Sequence, residues 1–448
     1  MNVHKNIKSI FLFIYKQLTI ERLVKIIFPF STSLKRKDKA YRNGIFFINC
    51  LLYYTVIALE RLVKLLNRVI GRLKRNYMNY LTVREGCTQL AQDIKWICTD
   101  QSLELSMPKI FNEKSAISAK HKCSGKLPDQ YLATLKNATV TGGTDLVIVN
   151  NTILYDEIDK QTFNKYGVKS PAIEKITKDS IALHIKAPSS SILCGIHLNK
   201  DHSMNYYHWL IECLPRLSLI THLDKNIPLI IDASVSSQAL EALDIFNSDN
   251  RPIVKLDINE AMLVKKLYYP SQLSIIHDNY GERDFSQDVL ISPVAVNFVR
   301  NEVFKKLNIV KPKGFRKIYI ARKSTYRHLL NQDEIIKTLI EHGFEIIYPE
   351  KLTFTQQAHI LSQAKVIIGQ SGAGMANIIF APKNCKVLIL ALDNSIINMH
   401  PFQGIADAIG LSLQSLTSTR IDSDETLEDP HSSFKIDNKM LFKYLLTI

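Results

Sequence analysis

The sequence has no closely spaced cysteine pair. Its seven cysteines, Cys50, Cys87, Cys98, Cys123, Cys194, Cys213 and Cys385, are scattered and odd in number, and none forms a CxxC. That excludes a zinc-ribbon pattern and a dense disulfide framework, and leaves isolated thiols suited to a reducing compartment. Internal repeats and low-complexity stretches are also missing. Near the N-terminus, Met1–Ile20 carries Lys5, Lys8 and Lys16 and has no small-residue cleavage site, so no secretory signal is expected. The longest uncharged apolar run of that region, Gly44–Leu59, falls short of the roughly 20 residues a spanning helix needs.

What is present is charge of one sign, unevenly placed. The 448 residues carry a net +15, but residues 1–76 hold 16 basic and three acidic side chains. The remaining 372 residues are close to neutral, with 41 basic and 39 acidic side chains, so no nucleic-acid partner is expected. From Leu59 onward the spacing predicts a helix. Arg61, Lys64, Arg68, Arg72 and Arg75 form one stripe, and Leu59, Leu62, Leu66, Val69 and Leu73 lie on the largely opposite side. Such a helix suits an anionic membrane surface. Packing on the protein's own body and a short single-span anchor at Gly44–Leu59 are the alternatives.

Residues 77–135 are mixed and partly loop-like. Ala138–Asp156 holds Thr-Gly-Gly-Thr, an apolar run and Asn150-Asn151, a pattern of strands with tight turns. A helix interrupted near Pro215 is expected over Tyr206–Leu223. Strands and helices then alternate to Leu392, which implies an α/β fold with parallel sheets covered on both faces. The pattern breaks at Asn308–Phe315, where Lys-Pro-Lys-Gly marks a boundary.

Three constellations carry chemistry. The first is a buried strand ending at Gly369, followed by Gln-Ser371-Gly372-Ala373-Gly374 and an apolar helix containing Asn377. Such a turn either binds a phosphate on helix-initial N–H groups or serves close helix–sheet packing. It is neither GxGxxG nor a P-loop. The second is a strand delivering Arg322 and Lys323 to a loop with Arg327, His328 and Asn331. It is a diphosphate clamp or a solvated basic loop, and Asn331 suits a helix N-cap. The third is Tyr207-His208-Trp209 with Glu212 four residues after His208. That pair is an imidazole base with its orienting carboxylate, or a structural hydrogen bond. No metal site is expected: His197, His202 and His208 lack ligand spacing, and Asp422-Ser-Asp424 sits in a polar stretch.

Together these blocks resemble glycosyltransferase family 61, whose bacterial members are often called capsular polysaccharide biosynthesis proteins. The resemblance runs over roughly residues 138–416. It implies a GT-B-type architecture of two Rossmann-like domains with a cleft between them: an acceptor domain over 81–308 and a nucleotide-sugar-binding domain over 309–448, behind a basic segment over 1–80. It implies inverting transfer of a hexose or pentose from a nucleotide-sugar, a co-substrate rather than a cofactor, to a glycan or lipid-linked acceptor, without metal. By carry-over, Arg322, Arg327 and Asn331 match the basic motif. Gly369, Gly372, Ala373, Gly374 and Asn377 match the glycine motif, and His208 and Trp209 the His-Trp motif. The departures are His328, Gln332 and Ser371, which stand where members commonly have Arg, Glu and His. The expected roles are leaving-group stabilisation by Arg322, Arg327 and the Gly372–Gly374 turn, and base chemistry by His208 with Glu212. The expected setting is the cytoplasmic face of a bacterial inner membrane. A eukaryotic secretory enzyme, a phosphosugar or polyol-phosphate transferase and a non-catalytic membrane-tethered scaffold are the competing readings.

Overall fold

The computed structural model describes residues 77–111, 123–156, 170–177, 180–185, 187–276, 288–323, 327–392, 399–418 and 433–448. The chain divides after Arg75, and all that follows concerns the second unit, Asn76–Ile448. The basic stripe Arg61–Arg75, the run Gly44–Leu59 and Asp422-Ser-Asp424 lie outside the described residues. Among the described residues no helix is long and apolar enough to cross a membrane.

The strands, in chain order, are β1 (Tyr77–Leu81), β2 (Asp93–Cys98), β3 (Ser102–Leu105), β4 (Lys109–Ile110), β5 (Cys123–Lys126), β6 (Gln130–Thr141), β7 (Val147–Val149), β8 (Thr152–Leu154), β9 (Ile173–Ile176), β10 (Ile181–Leu183) and β11 (Ser190–His197). Then come β12 (Leu229–Asp232), β13 (Ile253–Leu256), β14 (Ala261–Pro270), β15 (Ile275–Ile276), β16 (Val289–Leu290), β17 (Arg316–Ile320), β18 (Glu345–Ile347), β19 (Ala364–Gln370), β20 (Lys386–Leu392) and β21 (Ser412–Ser418). The helices used below are α1 (Ser237–Phe246), α2 (Pro293–Lys306), α3 (Gln332–Glu341), α4 (Phe354–Leu361), α5 (His400–Ile409) and α6 (Asn438–Leu445).

In the first sheet, β13, β12, β11 and β14 are mutually parallel and lie in that order. Their chain order is therefore 3-2-1-4, with a switch point between β11 and β14. An antiparallel meander continues from β14 through β6, β7 and β8. The stretch 77–135, expected to be mixed and partly loop-like, holds β1 to β5 and the start of β6, of which β1, β2 and β6 join this sheet. In the second sheet the order is β18-β17-β19-β20-β21, all parallel, with the short β4 added at the edge beside β21. Here the switch point lies between β17 and β19.

Strands buried on both faces need continuous apolar runs, and Leu-Ile-Ile of β12, Val-Ile-Ile of β19 and Val-Leu-Ile-Leu of β20 supply them. One apolar cluster runs from Leu229 and Ile231 through Trp209, Val299 of α2 and Phe380 to Ile318, Ile367 and Val387. A second covers the opposite face of the later sheet with Ile335, Leu339, Leu441 and Tyr444. Glu241 of α1 accepts from the first N–H groups of α4, at Phe354 (2.6 Å) and Thr355 (3.1 Å), so a carboxylate meets the positive end of that helix. The five described cysteines are free thiols, with Cys87, Cys213 and Cys385 buried.

Candidate active site

The glycine turn lies at the carboxyl end of β19, beside the carboxyl end of β17, and packing explains its composition. A Cβ on Gly369 would stand 2.4 Å from the Met375 sulfur, and one on Gly372 would stand 2.6 Å from Arg322 Nη1. The Arg322 guanidinium therefore lies against the turn, donating to the Ser371 carbonyl at 3.1 Å. The Ser371 hydroxyl is buried, with no hydrogen-bond partner among the described residues. A Cβ on Gly374 would meet Pro349 at 3.4 Å, so the loop after β18 closes the third side.

The helix that follows, Ala373–Phe380, is a 3-10 helix. Asn377 Nδ2 donates to the Gly374 carbonyl at 3.2 Å, the acceptor that an α-helical Ile378 N–H would use. The same amide nitrogen donates to Gln357 Oε1 at 2.6 Å. Asn377 Oδ1 accepts from the Tyr206 hydroxyl at 2.7 Å. Asn377 is thus fully buried and holds elements together rather than facing an opening.

The basic loop is tied down at several separate points. Arg322 is half-buried, and its backbone N–H donates to Gln332 Oε1 at 3.3 Å. Burial first, then Arg327, holds its guanidinium below the ordinary value, opposed by Glu350. Arg327 adopts a left-handed φ of 53°, and its carbonyl accepts from the Gln370 side chain. The Lys323 ammonium stands 5.5 Å from the Tyr348 ring centre, and Lys351 stands 5.0 Å from it. Asn331 precedes α3 but makes no side-chain cap. Its amide instead brackets Ile436, donating to the carbonyl at 2.8 Å and accepting from the N–H at 3.1 Å. The His328 carbonyl accepts from Phe434 N–H at 3.0 Å, so this stretch anchors the chain before α6.

His208 and Glu212 do meet. The His208 Nδ1 position and Glu212 Oε2 share a hydrogen bond. Asn205 caps the segment, accepting from Tyr207 N–H at 3.0 Å. The helix is α only over Tyr206–His208, widens to a π turn over Trp209–Cys213, and tightens to a 3-10 helix over Leu214–Ile220. Pro215 has no N–H for the Ile211 carbonyl, and the Leu214 N–H reaches back to the Trp209 carbonyl instead. Trp209 is fully buried and its indole donates to the Ala239 carbonyl at 2.8 Å, a packing role.

Several residues around His208 carry no signal in the linear motifs. Lys200 lies 3.4 Å from Glu212 Oε1 and 3.8 Å from Asp145 Oδ2. Asp232, at the carboxyl end of β12, accepts from the Gly143 N–H and the Ser203 hydroxyl. Burial raises its carboxyl to about 6 against those two hydrogen bonds. Tyr155 donates to Asp201. The available signals were position: Asp232 ends a buried strand, and Asn199–Ser203 follows another, where α/β sheets place ligand sites. His197 is wholly buried, stacked on Tyr269, and burial and Arg216 keep it neutral. Among the described residues no group of three His, Cys, Asp or Glu side chains is placed to hold a metal ion.

Tyr206 joins the His208 segment to the glycine-turn helix, and residues 206–388 hold all three constellations. That same stretch matches the family Glycosyltransferase 61. The chain is also similar to the EGF domain-specific O-linked N-acetylglucosamine transferase of Drosophila melanogaster, 33% identical over 67 residues. That likeness covers 14% of this chain and 13% of the relative's length. The family match over the stretch that carries His208, Arg322 and the glycine turn, together with the likeness to a glycosyltransferase, supports glycosyl transfer in general.

Proposed function

We propose that the protein is an inverting glycosyltransferase of GT-B-type arrangement that moves a sugar from a nucleotide-sugar to a glycan or lipid-linked acceptor in cell-surface polysaccharide synthesis. The observation that carries this reading is the pairing of Arg322 with the Ser371–Gly372 turn at the β17/β19 switch point. Open α/β sheets bind ligands in that crevice. A leaving nucleoside diphosphate needs positive charge and fixed N–H donors where its charge develops, and Arg322 and the turn provide both types of group. Arg327 adds charge to the same loop.

The acceptor hydroxyl must lose a proton as its oxygen attacks the anomeric carbon. His208 takes that proton on Nε2, because Nδ1 is engaged by Glu212. The new C–O bond forms as the bond to the diphosphate breaks, and the diphosphate leaves with the bonding pair. On this reading no metal ion takes part. The basic N-terminal segment holds the enzyme on an anionic membrane surface, where a lipid-linked acceptor is presented.

The test is incubation of the folded full-length protein with a nucleotide-sugar panel and candidate acceptors. The activity of the Drosophila relative puts an N-acetylglucosamine donor first. Transfer or slow donor hydrolysis is expected for at least one donor. A folded protein that consumes none of them contradicts the reading. Label from the donor phosphates appearing in product would point to phosphosugar transfer instead.

A further inference from the structure

We propose that Lys200 and Asp145 are positioning residues that set the charge state of the His208–Glu212 pair, acting as a buried counter-charge system for the base. Glu212 has no exposed side-chain surface, Lys200 has 5% and Asp145 3%, whereas His208 keeps 15%. The pair therefore has one outward end, the imidazole, and a wholly interior end.

The two oxygens of Glu212 are divided between those ends. Oε2 holds His208 Nδ1, and Oε1 faces the Lys200 ammonium at 3.4 Å. Lys200 is shared, since Asp145 Oδ2 lies 3.8 Å from the same ammonium. An ionised carboxylate in a dry site is costly unless paired, and Lys200 supplies that pairing from behind. With Glu212 ionised, His208 keeps its proton on Nδ1 and presents an accepting Nε2. Asp145 moderates the cation, so that Lys200 does not cancel the negative field that His208 needs when it becomes imidazolium.

Three separate elements build this arrangement. Asp145 follows the Thr-Gly-Gly-Thr turn after β6, Lys200 follows β11, and Glu212 lies in the π turn. The other charged or titratable groups facing these residues are Asp201 and His202 in the Lys200 loop, Asp232 at the end of β12, Tyr207 beside His208, and the buried Cys213, Arg216 and Tyr269, with Arg216 donating to the Asn199 carbonyl at 3.3 Å. The His202 ring lies 6.1 Å from the His208 ring, and Tyr207 meets it edge-on at 6.0 Å.

The inference rests on His208 being the base, but its test does not require transfer activity. The His208 ring is titrated by NMR in the full-length protein, its resonances assigned by comparison with His208→Gln. Lys200→Met removes the cation behind Glu212, so the His208 titration should move up by roughly half to one pH unit. Asp145→Asn removes the opposing charge and should move it down. Lys200→Arg should stay near wild type. Where an acceptor is known, the acidic limb of kcat/KM should follow the same shifts. If Lys200→Met does not fold, the downward shift in Asp145→Asn carries the test alone. No movement of the His208 titration, or movement of both variants in one direction, overturns the proposal. Loss of all transferase activity in wild type would instead count against the proposed function.

Discussion

At the scale of single residues, Asp232 gives the most direct pH signature. Its carboxyl is raised from 3.8 to about 6, chiefly by burial. The folded state therefore holds this proton more tightly than the unfolded chain. The resulting stabilisation is full below the unfolded value and is lost as pH rises through about 6. Shifts of this size amount to about 3 kcal/mol at most. Urea unfolding of wild type and Asp232→Asn at several pH values checks it. The stability of wild type relative to the variant should fall by up to that amount between about pH 4 and pH 7, and parallel profiles would contradict the assignment. Residue chemistry was partly legible beforehand. The i,i+4 spacing of His208 and Glu212 placed them on one face, and the structure joins them. Asn331 misled because an Asn before a helix suits capping, yet its amide found the backbone of Ile436, 105 residues later. Lys200, Asp145 and Asp232 stayed silent because only folding brings separate strand ends together.

At the scale of elements, alternation predicted most strands and helices after residue 228, since parallel strands buried on both faces and amphipathic helices differ in local period. The π turn at Trp209–Cys213 and the 3-10 helix at Ala373–Phe380 were read as ordinary helix. Their causes are a missing Pro215 N–H and an Asn377 side chain that takes a helical acceptor. The strands before residue 135 were obscure because β1 and β2 owe their form to β8 and β6, far along the chain. The hydrogen bond from Tyr206 to Asn377 is the tie between the His208 element and the glycine-turn helix. Tyr206→Phe should lower stability by about 1–2 kcal/mol, because it leaves a buried amide oxygen short of a donor. It should also lower kcat/KM more than donor affinity, since the base loses its register with the donor site. Thermal unfolding and initial rates measure both, and unchanged values would show that the tie carries nothing.

At the scale of the whole molecule, the +15 net charge belongs largely to residues 1–76 and not to the body that holds the site. Replacing Arg61, Lys64, Arg68, Arg72 and Arg75 by Gln should sharply weaken sedimentation of the full-length chain with anionic vesicles. Raised salt should release the wild type, because exposed charges are screened within about 10 Å at 0.1 M. Equal sedimentation of both proteins would contradict a role for the stripe. Residues 308–315, where the sequence pattern breaks, join α2 to β17 within the one compact unit Asn76–Ile448. The edge strand β4 nevertheless crosses to the later sheet, and Phe111 packs edge-on against Tyr444 at 5.2 Å. Two residues of edge pairing carry no local pattern, so that crossing could not be read from the chain.

On the proposed function, a nucleoside diphosphate sits at the β17/β19 switch point against Arg322 and the glycine turn. The most direct measurement is calorimetric titration of the donor's nucleoside diphosphate into wild type, Arg322→Ala and Gly372→Ala. Saturable binding to wild type is expected, with at least ~10-fold weaker binding to both variants, Gly372→Ala because its new methyl displaces the guanidinium. Binding by folded Arg322→Ala that equals wild type, or no binding by wild type, would contradict it.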